Sequence, residues 1–502
     1  MIGVDPYHQG IMFKPAFDVA HGQMLFRDTF TGYGALSTLL QAWALRIFGD
    51  YLMVIQIETA FFYGLISVCL WYLWKCILPQ WLTTTSVVIW LLLAPYFISI
   101  FLPWSSVYAL FFQLFSLLLL LRAVREQNRL MIMLAGGVAV LAFWCRQPVG
   151  VFHCASLVFF LATAPLITGQ QWKYSMTDCA FFIAGIVVAS VPFFAWLALN
   201  GAIHDMYLQS IKAAFFFGVK LKMPFIEPGS HNLFVKILMT LYGYYNGQSV
   251  RLPGTSFIWS LLPLVCLSLL AILAVKVYRN RNSMNNQLPF YGILLVSLAS
   301  WLQYYPLPCI RHSYWAATPM IGVFSYGAWK LFKPMQQKNM QALMVYLILA
   351  FVFGVDIEHR ISSGLIKINT LNTRIEEPKV LRGMYESPPA AEEYKVISMS
   401  LNNAIERDFS HYLVDLSLDA LYLTFIGPQN NFHPMYIYLL NDQTEFIYPE
   451  YLKHTIEFIK TKKPLILTHE GISIPGANCV SIFNVTDFLS QNRLALYSFF
   501  LK

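Results

Sequence analysis

The chain has 502 residues, of which 57% are hydrophobic, 16% aromatic and only 12% charged. Its mean hydropathy is +0.54. Soluble domains carry about 25% charged residues, so a soluble globular protein is excluded. A soluble helical solenoid is excluded too, because its helices need polar faces that these segments lack.

In chain order, residues 1–50 are polar enough to lie outside a bilayer, yet neither a leader nor a span precedes them. Apolar blocks follow at 51–73, 84–101, 105–121, 130–145, 149–168, 178–199, 256–275, 287–303, 312–329 and 340–356. Blocks of this length match the ~30 Å hydrocarbon layer at 1.5 Å per helical residue. The sequence therefore predicts an α-helical polytopic membrane protein of about ten spans.

The loops between the blocks alternate in charge. One set holds Lys75; Arg122, Arg125 and Arg129; Lys173; Lys276, Arg279 and Arg281; and Lys330, Lys333 and Lys338. The other set is poor in Lys and Arg: 101–104 has none, and Arg146 and Arg311 stand alone. The positive-inside rule places the first set in the cytoplasm. That placement accounts for much of the net charge of +8 without nucleic acid. Residues 1–50, the long loop 200–254 and everything after 356 then fall on the outer side. An even number of spans with both ends outside leaves residues 1–50 with nothing to translocate them. The sequence thus predicts that an N-terminal helix is missing from this chain.

Three domains follow: a first outer loop (1–50), a helical membrane domain (51–356) that includes the outer loop 200–254, and an outer C-terminal domain (357–502). In the last, short β-type runs at 411–417, 421–427, 435–440, 464–469 and 479–485 surround a helical stretch at 449–463. That mixture predicts a small α/β domain. No phosphate-binding loop or dinucleotide fingerprint occurs. The eight cysteines show neither a disulfide framework nor metal-ligand spacing, and read as small buried hydrophobes. Glu58 is the ionisable residue nearest the middle of a span. A transporter is expected to carry mid-bilayer charges and repeats, and neither is evident.

The segment 4–49 carries the most chemistry. It holds Asp5, His8, Lys14, Asp18, His21, Arg27 and Asp28 among many aromatic and apolar residues. Charges held against an apolar wall need partners or a function. Elsewhere, Arg146-Gln147 ends one helix at the outer side. Lys220 and Lys222 stand two apart in the long outer loop, facing one way if extended. Arg311-His312 follows two prolines, beside Tyr304, Tyr305, Tyr314 and Trp315. Plain alternatives exist for each: a snorkelling arginine, a solvated loop face, and an interfacial aromatic belt. For Asp28 the plain alternative is a salt bridge with Arg27.

The motif Asp5-Pro6-Tyr7-His8, the element Leu25-Phe26-Arg27-Asp28-Thr29-Phe30 and an apolar helix from Gly34 to Gly49 follow one another in order. This stretch resembles the first outer loop of the GT-C class of polyprenyl-phosphate-sugar-dependent glycosyltransferases (glycosyltransferase 39-like). That class includes the protein O-mannosyltransferases and the aminoarabinose transferase of lipid A. It often has a second acid after the first, where this chain has Pro6, and a membrane helix before the loop.

The resemblance implies an inverting membrane glycosyltransferase in the inner (plasma) membrane, with its site facing the periplasm or exterior. The donor is a polyprenyl-phosphate sugar, and the acceptor is a hydroxyl on a glycan, lipid or protein. Asp5 is then the catalytic base. Asp28 is the second carboxylate, orienting the acceptor or, like Asp5, holding a divalent cation. His8, Arg27 and Tyr33 are substrate contacts. Arg146, Gln147, Lys220, Lys222, Arg311 and His312 hold the lipid-linked phosphate or the sugar. Competing readings are a transporter or flippase, a lipid-linked glycan polymerase or ligase, and an inactive truncated member of the class.

Overall fold

In a computed structural model, the described residues are 2–93, 102–169, 171–213, 257–279, 284–301, 310–406, 413–415, 419–427, 447–448, 465–469, 478–484, 494–500 and five positions between 453 and 461. Each of the ten apolar blocks has described residues on a helix: α3 (Leu52–Lys75), α4 (Gln80–Leu92), α5 (Ser105–Glu126), α6 (Arg129–Cys145), α7 (Gln147–Thr168), α8 (Trp172–Leu199), α10 (Phe257–Arg279), α11 (Leu288–Trp301), α12 (Ile310–Phe332) and α13 (Lys338–Thr370). Among the described residues, α3, α5, α7, α8 and α10 are long and apolar enough to cross a membrane by themselves. Helix α13 joins them if its two halves, bent by 52° between Gly354 and Asp356, are one span.

Side-chain placement shows why these helices gather. Helix α8 leaves Val187, Val188 and Val191 more than half exposed, as suits a lipid-facing stripe. Its other face crosses α6 closely. A methyl on Gly136 would collide with the Phe182 carbonyl, and one on Gly185 with the Met133 carbonyl. Small residues at a crossing are the usual means of helix association in lipid.

The first outer segment is not an open loop. Helix α1 (Pro6–Ala20) starts with Asp5 as N-cap and Pro6 at its first position, a favourable pair for helix entry. It is buried almost all round: Gln9 through Val19 are all buried. Helix α2 (Ala35–Phe48) lies between Gly34 and Gly49, where the sequence put it. Gly34 is needed there because a side chain would strike the Trp144 carbonyl.

Most charges of this segment are neutralised locally. Lys14 and Asp18 form a buried ion pair, and Thr29 Oγ1 donates to Asp18 Oδ2 at 2.7 Å. Burial pushes the Lys14 ammonium down, with Asp18 opposing. His21 faces Asp50 at 3.3 Å, and Arg27 is forked onto Asp28.

Parts of the C-terminal region pack on α1. Gly10 abuts Ala420 and Leu421, which belong to a 3₁₀ turn, Ala420–Thr424. Gly3 N donates to Tyr385 O (2.8 Å), and Val4 N to Glu386 Oε1 (3.3 Å). Residues 3–10 thus meet 385–386 and 420–421, and beyond a short helix α9 (Ile203–Met206) Gln209 bonds to Thr31 and Phe26.

One expectation is corrected. The run 421–427 is expected as a strand, but its first residues belong to the 3₁₀ turn Ala420–Thr424, buried against α1. The boundary at 357 lies beside the bend of α13, and the helix continues to Thr370. The first outer loop contains α1. Strands β1 (Thr373–Arg374) and β2 (Tyr385–Glu386) pair antiparallel, followed by α14 (Pro388–Glu406). Farther on, β3 (Leu413–Asp415), β4 (Leu465–His469), β6 (Leu494–Phe500) and β5 (Asn478–Asn484) form a sheet in that order, with β3 and β4 parallel and the other pairs antiparallel. The run 435–440 lies outside the described residues, as does most of 449–463.

Candidate active site

The N-terminus of α1 presents Asp5. Its Oδ1 accepts from His8 N at 2.9 Å, as an N-cap does, and its Oδ2 lies 2.8 Å from His8 Nδ1. One carboxylate therefore caps the helix and holds the imidazole, with side-chain exposures of 22% for Asp5 and 35% for His8. Both are reachable from water, unlike the sealed Lys14–Asp18 pair. Gln9 Oε1 accepts from Asp5 N at 3.0 Å and fixes the turn. Burial pushes the Tyr7 phenol up, helped by the charges of Asp5 and then Asp419.

An aromatic floor underlies this pair. The His8 ring is 6.1 Å from Trp104; Tyr33 meets Trp104 edge-on at 5.3 Å; and Trp315 stacks on Trp104 at 6.5 Å with 12° between planes. Trp315 Nε1 donates to Tyr63 Oη at 3.0 Å, which fixes that ring. Trp104 sits in the short connection before α5, anchored where Gln41 Nε2 donates to Pro103 O at 2.8 Å.

One cation reaches the start of α5. The Arg146 guanidinium contacts Ser106 Oγ, two residues beyond Trp104. Arg146 and Gln147 are half-buried at the tight junction of α6 and α7. There Gly150 is obligatory because a side chain would strike Phe143. Arg311 and His312 lie in the first turn of α12. Arg311 is four residues before Trp315 and so on the same helical face. The side chains of Arg311 and His312 fall outside the described set, and Lys220 and Lys222 lie outside the described residues altogether.

Asp28 and Arg27 are placed elsewhere. Arg27 Nε and Nη2 each donate to Asp28 at 2.8 Å, Arg27 Nη1 donates to Asn200 O at 3.1 Å, and Met24 N donates to Asp28 Oδ2 at 2.8 Å. Asp28 closes the turn 24–28, the salt bridge that was its plain alternative. No group of three or more His, Cys, Asp or Glu side chains that could hold a metal occurs among the described residues.

Sequence reasoning missed Trp104 and Asp419. Trp104 was hidden in a four-residue connection remarkable only for lacking charge. Asp419 lies more than 400 residues from Asp5, in a segment with no motif. A carboxylate in reach of water, an imidazole oriented by it, aromatic faces and a guanidinium can together take a proton, stack on a sugar and hold an anion.

No protein-family model and no curated protein matches the sequence. Solved structures do. ArnT from Cupriavidus metallidurans in its apo state superposes with TM-score 0.55 at 11% identity, over 99% of this chain and 94% of that one. The same protein bound to undecaprenyl phosphate gives 0.52 at 10% identity with the same coverage. The Archaeoglobus fulgidus oligosaccharyltransferase AglB, with an inhibitory peptide and a dolichol-phosphate, gives 0.54 at 11% identity over 93% of this chain and 66% of that one. The chain thus spans about two thirds of the archaeal enzyme and nearly all of ArnT. At such identities the likeness is one of fold, and the chain has the GT-C fold that ArnT and the oligosaccharyltransferase share.

Proposed function

We propose that the protein is an inverting glycosyltransferase that moves a sugar from a polyprenyl-phosphate donor to a hydroxyl acceptor at the outer face of the membrane. The observation that carries the reading is the Asp5–His8 pair on the Trp104 floor, joined through Ser106 to Arg146. Support also comes from the fold shared with a protein bound to undecaprenyl phosphate.

In this reading the Asp5 carboxylate takes the proton from the acceptor hydroxyl as its oxygen attacks the anomeric carbon. The bond from that carbon to the phosphate oxygen breaks on the opposite face, which inverts the centre and releases polyprenyl phosphate. A phosphate is a good leaving group, so a base and a cation suffice without a strong acid. His8 orients Asp5, Arg146 meets the charge growing on the phosphate, and Tyr33, Trp104 and Trp315 offer faces to the sugar ring. Arg311 and His312, one helical turn from Trp315, and Lys220 and Lys222 complete the phosphate-binding set. Asp28 serves the fold of its turn.

Membranes containing the protein, incubated with radiolabelled polyprenyl-phosphate hexoses and pentoses, are expected to move label into an acceptor fraction. Failure with every donor, in membranes where the protein is intact, would overturn the reading.

A further inference from the structure

A cavity of about 560 Å³ opens away from Asp5, between the C-terminal end of α1, α2 and the outer end of α8. Helix α1 has 15 residues, which puts this cavity about 20 Å from the Asp5 pair. Gln23, Arg27 and Arg46 form its polar wall; Leu39, Phe193 and Trp196 form its apolar wall. A smaller cavity of about 280 Å³ extends it past Leu39 to Trp43.

The guanidiniums are held in place. Arg46 Nε donates to Ala20 O at 2.9 Å, and Nη2 donates to Val19 O at 2.8 Å. These partners are carbonyls, which orient the group without cancelling its charge. Arg27 is fixed by Asn200 O and Asp28. Trp43, which lines the smaller cavity, is 67% exposed, and Phe48 and Leu199, near lining residues Arg46 and Asn200 in sequence, are 69% and 87% exposed. Exposed tryptophan and aliphatic side chains level with a fixed cation mark a membrane–water boundary.

We propose that this cavity binds an anionic glycerophospholipid from the surrounding bilayer. The phosphodiester lies between Arg46 and Arg27, within reach of the Gln23 amide, and an acyl chain runs over Leu39, Trp43 and Trp196. The volume suits a headgroup with its first methylenes. The bound lipid joins α2 to the end of α8 and so braces the segment that carries Asp5.

The test uses the full-length protein in lipid-free detergent, titrated with phosphatidylglycerol and phosphatidylcholine of equal chain length and followed by native mass spectrometry and thermal melting. Phosphatidylglycerol is expected to bind about tenfold more tightly, one charge-assisted contact's worth, and to raise the melting temperature. Gln23→Glu adds a carboxylate without changing volume, and is expected to erase that preference while the unliganded protein melts normally. Arg46→Gln is expected to do the same, although it also releases the α1 carbonyls. Equal binding of the two lipids, or a preference that survives in Gln23→Glu, would overturn the proposal. So would saturation by inorganic phosphate alone, or displacement of phosphatidylglycerol from this cavity by undecaprenyl phosphate, which would mark a donor site.

Discussion

Replacing Asp5 separates the proposed chemistry from folding, because the proposed base is also the cap of α1. Asparagine caps helices about as well as aspartate, whereas alanine costs about 1 kcal/mol at such a position. In Asp5→Asn, the amide oxygen still accepts from His8 N, now 2.9 Å from Oδ1, and the amide nitrogen can donate to Nδ1 of the other His8 tautomer. The fold is therefore retained, but no base remains. A positioned general base is worth about 10²- to 10⁴-fold in rate, so transfer should fall by that factor with little change in melting temperature. Asp5→Ala should lose the activity and the cap together, and melt lower. The assay is label transfer from a polyprenyl-phosphate sugar by purified protein, with melting measured on the same samples. An Asp5→Asn protein retaining more than about a tenth of wild-type turnover would falsify the role of Asp5 as base. So would a melting temperature as low in Asp5→Asn as in Asp5→Ala.

Other expectations follow from the same geometry. His8→Gln should slow transfer less than Asp5→Asn does; the reverse order in kcat would make the imidazole the base and Asp5 its orienter. Lys14→Met leaves the Asp18 carboxylate buried without its cation and should destabilise the protein by about 3–5 kcal/mol. Lys14→Met combined with Asp18→Leu should recover much of that loss in a melting assay. Burial raises the Glu386 carboxyl, against the N–H groups of Val4 and Ser387 and the Lys367 charge. The folded state therefore holds its proton to higher pH than the unfolded state, and stability falls as pH rises from the ordinary Glu value through the raised one. Glu386→Gln should flatten that slope in melts taken across the window. Topology is checked by an impermeant maleimide on intact cells. It should label Glu392→Cys directly and reach the exposed native Cys76, beside Lys75, only after permeabilisation.

The membrane helices were legible because a bilayer imposes length and apolarity on any segment that crosses it. Helix α2 was legible from Gly34 and Gly49, which bracket it. Helix α1 was not. A helix buried on every side carries no amphipathic stripe, and Gly10 and Pro15 inside it read as breakers. Gly10 is explained only by the turn at Ala420 and Leu421, more than 400 residues away. The same holds for the site. Asp5 and His8 were readable as one motif because they lie three residues apart. Trp104 was not, since an aromatic residue at a membrane edge is usually part of a belt. Arg27 and Asp28 stood out because charge is scarce in this chain, and they pair with each other at a turn.

Gln209 makes three connections with one side chain. Its Oε1 accepts from Thr31 N at 3.0 Å, and its Nε2 donates to Phe26 O at 2.7 Å and to Tyr448 Oη at 2.8 Å. These partners are synthesised hundreds of residues apart. The amide cannot fill its three bonds until the ribosome has made residue 448, well after the last apolar block has left it. The nascent chain therefore carries these contacts unmade through its insertion, and a residue translated late closes them onto ones translated hundreds of residues earlier.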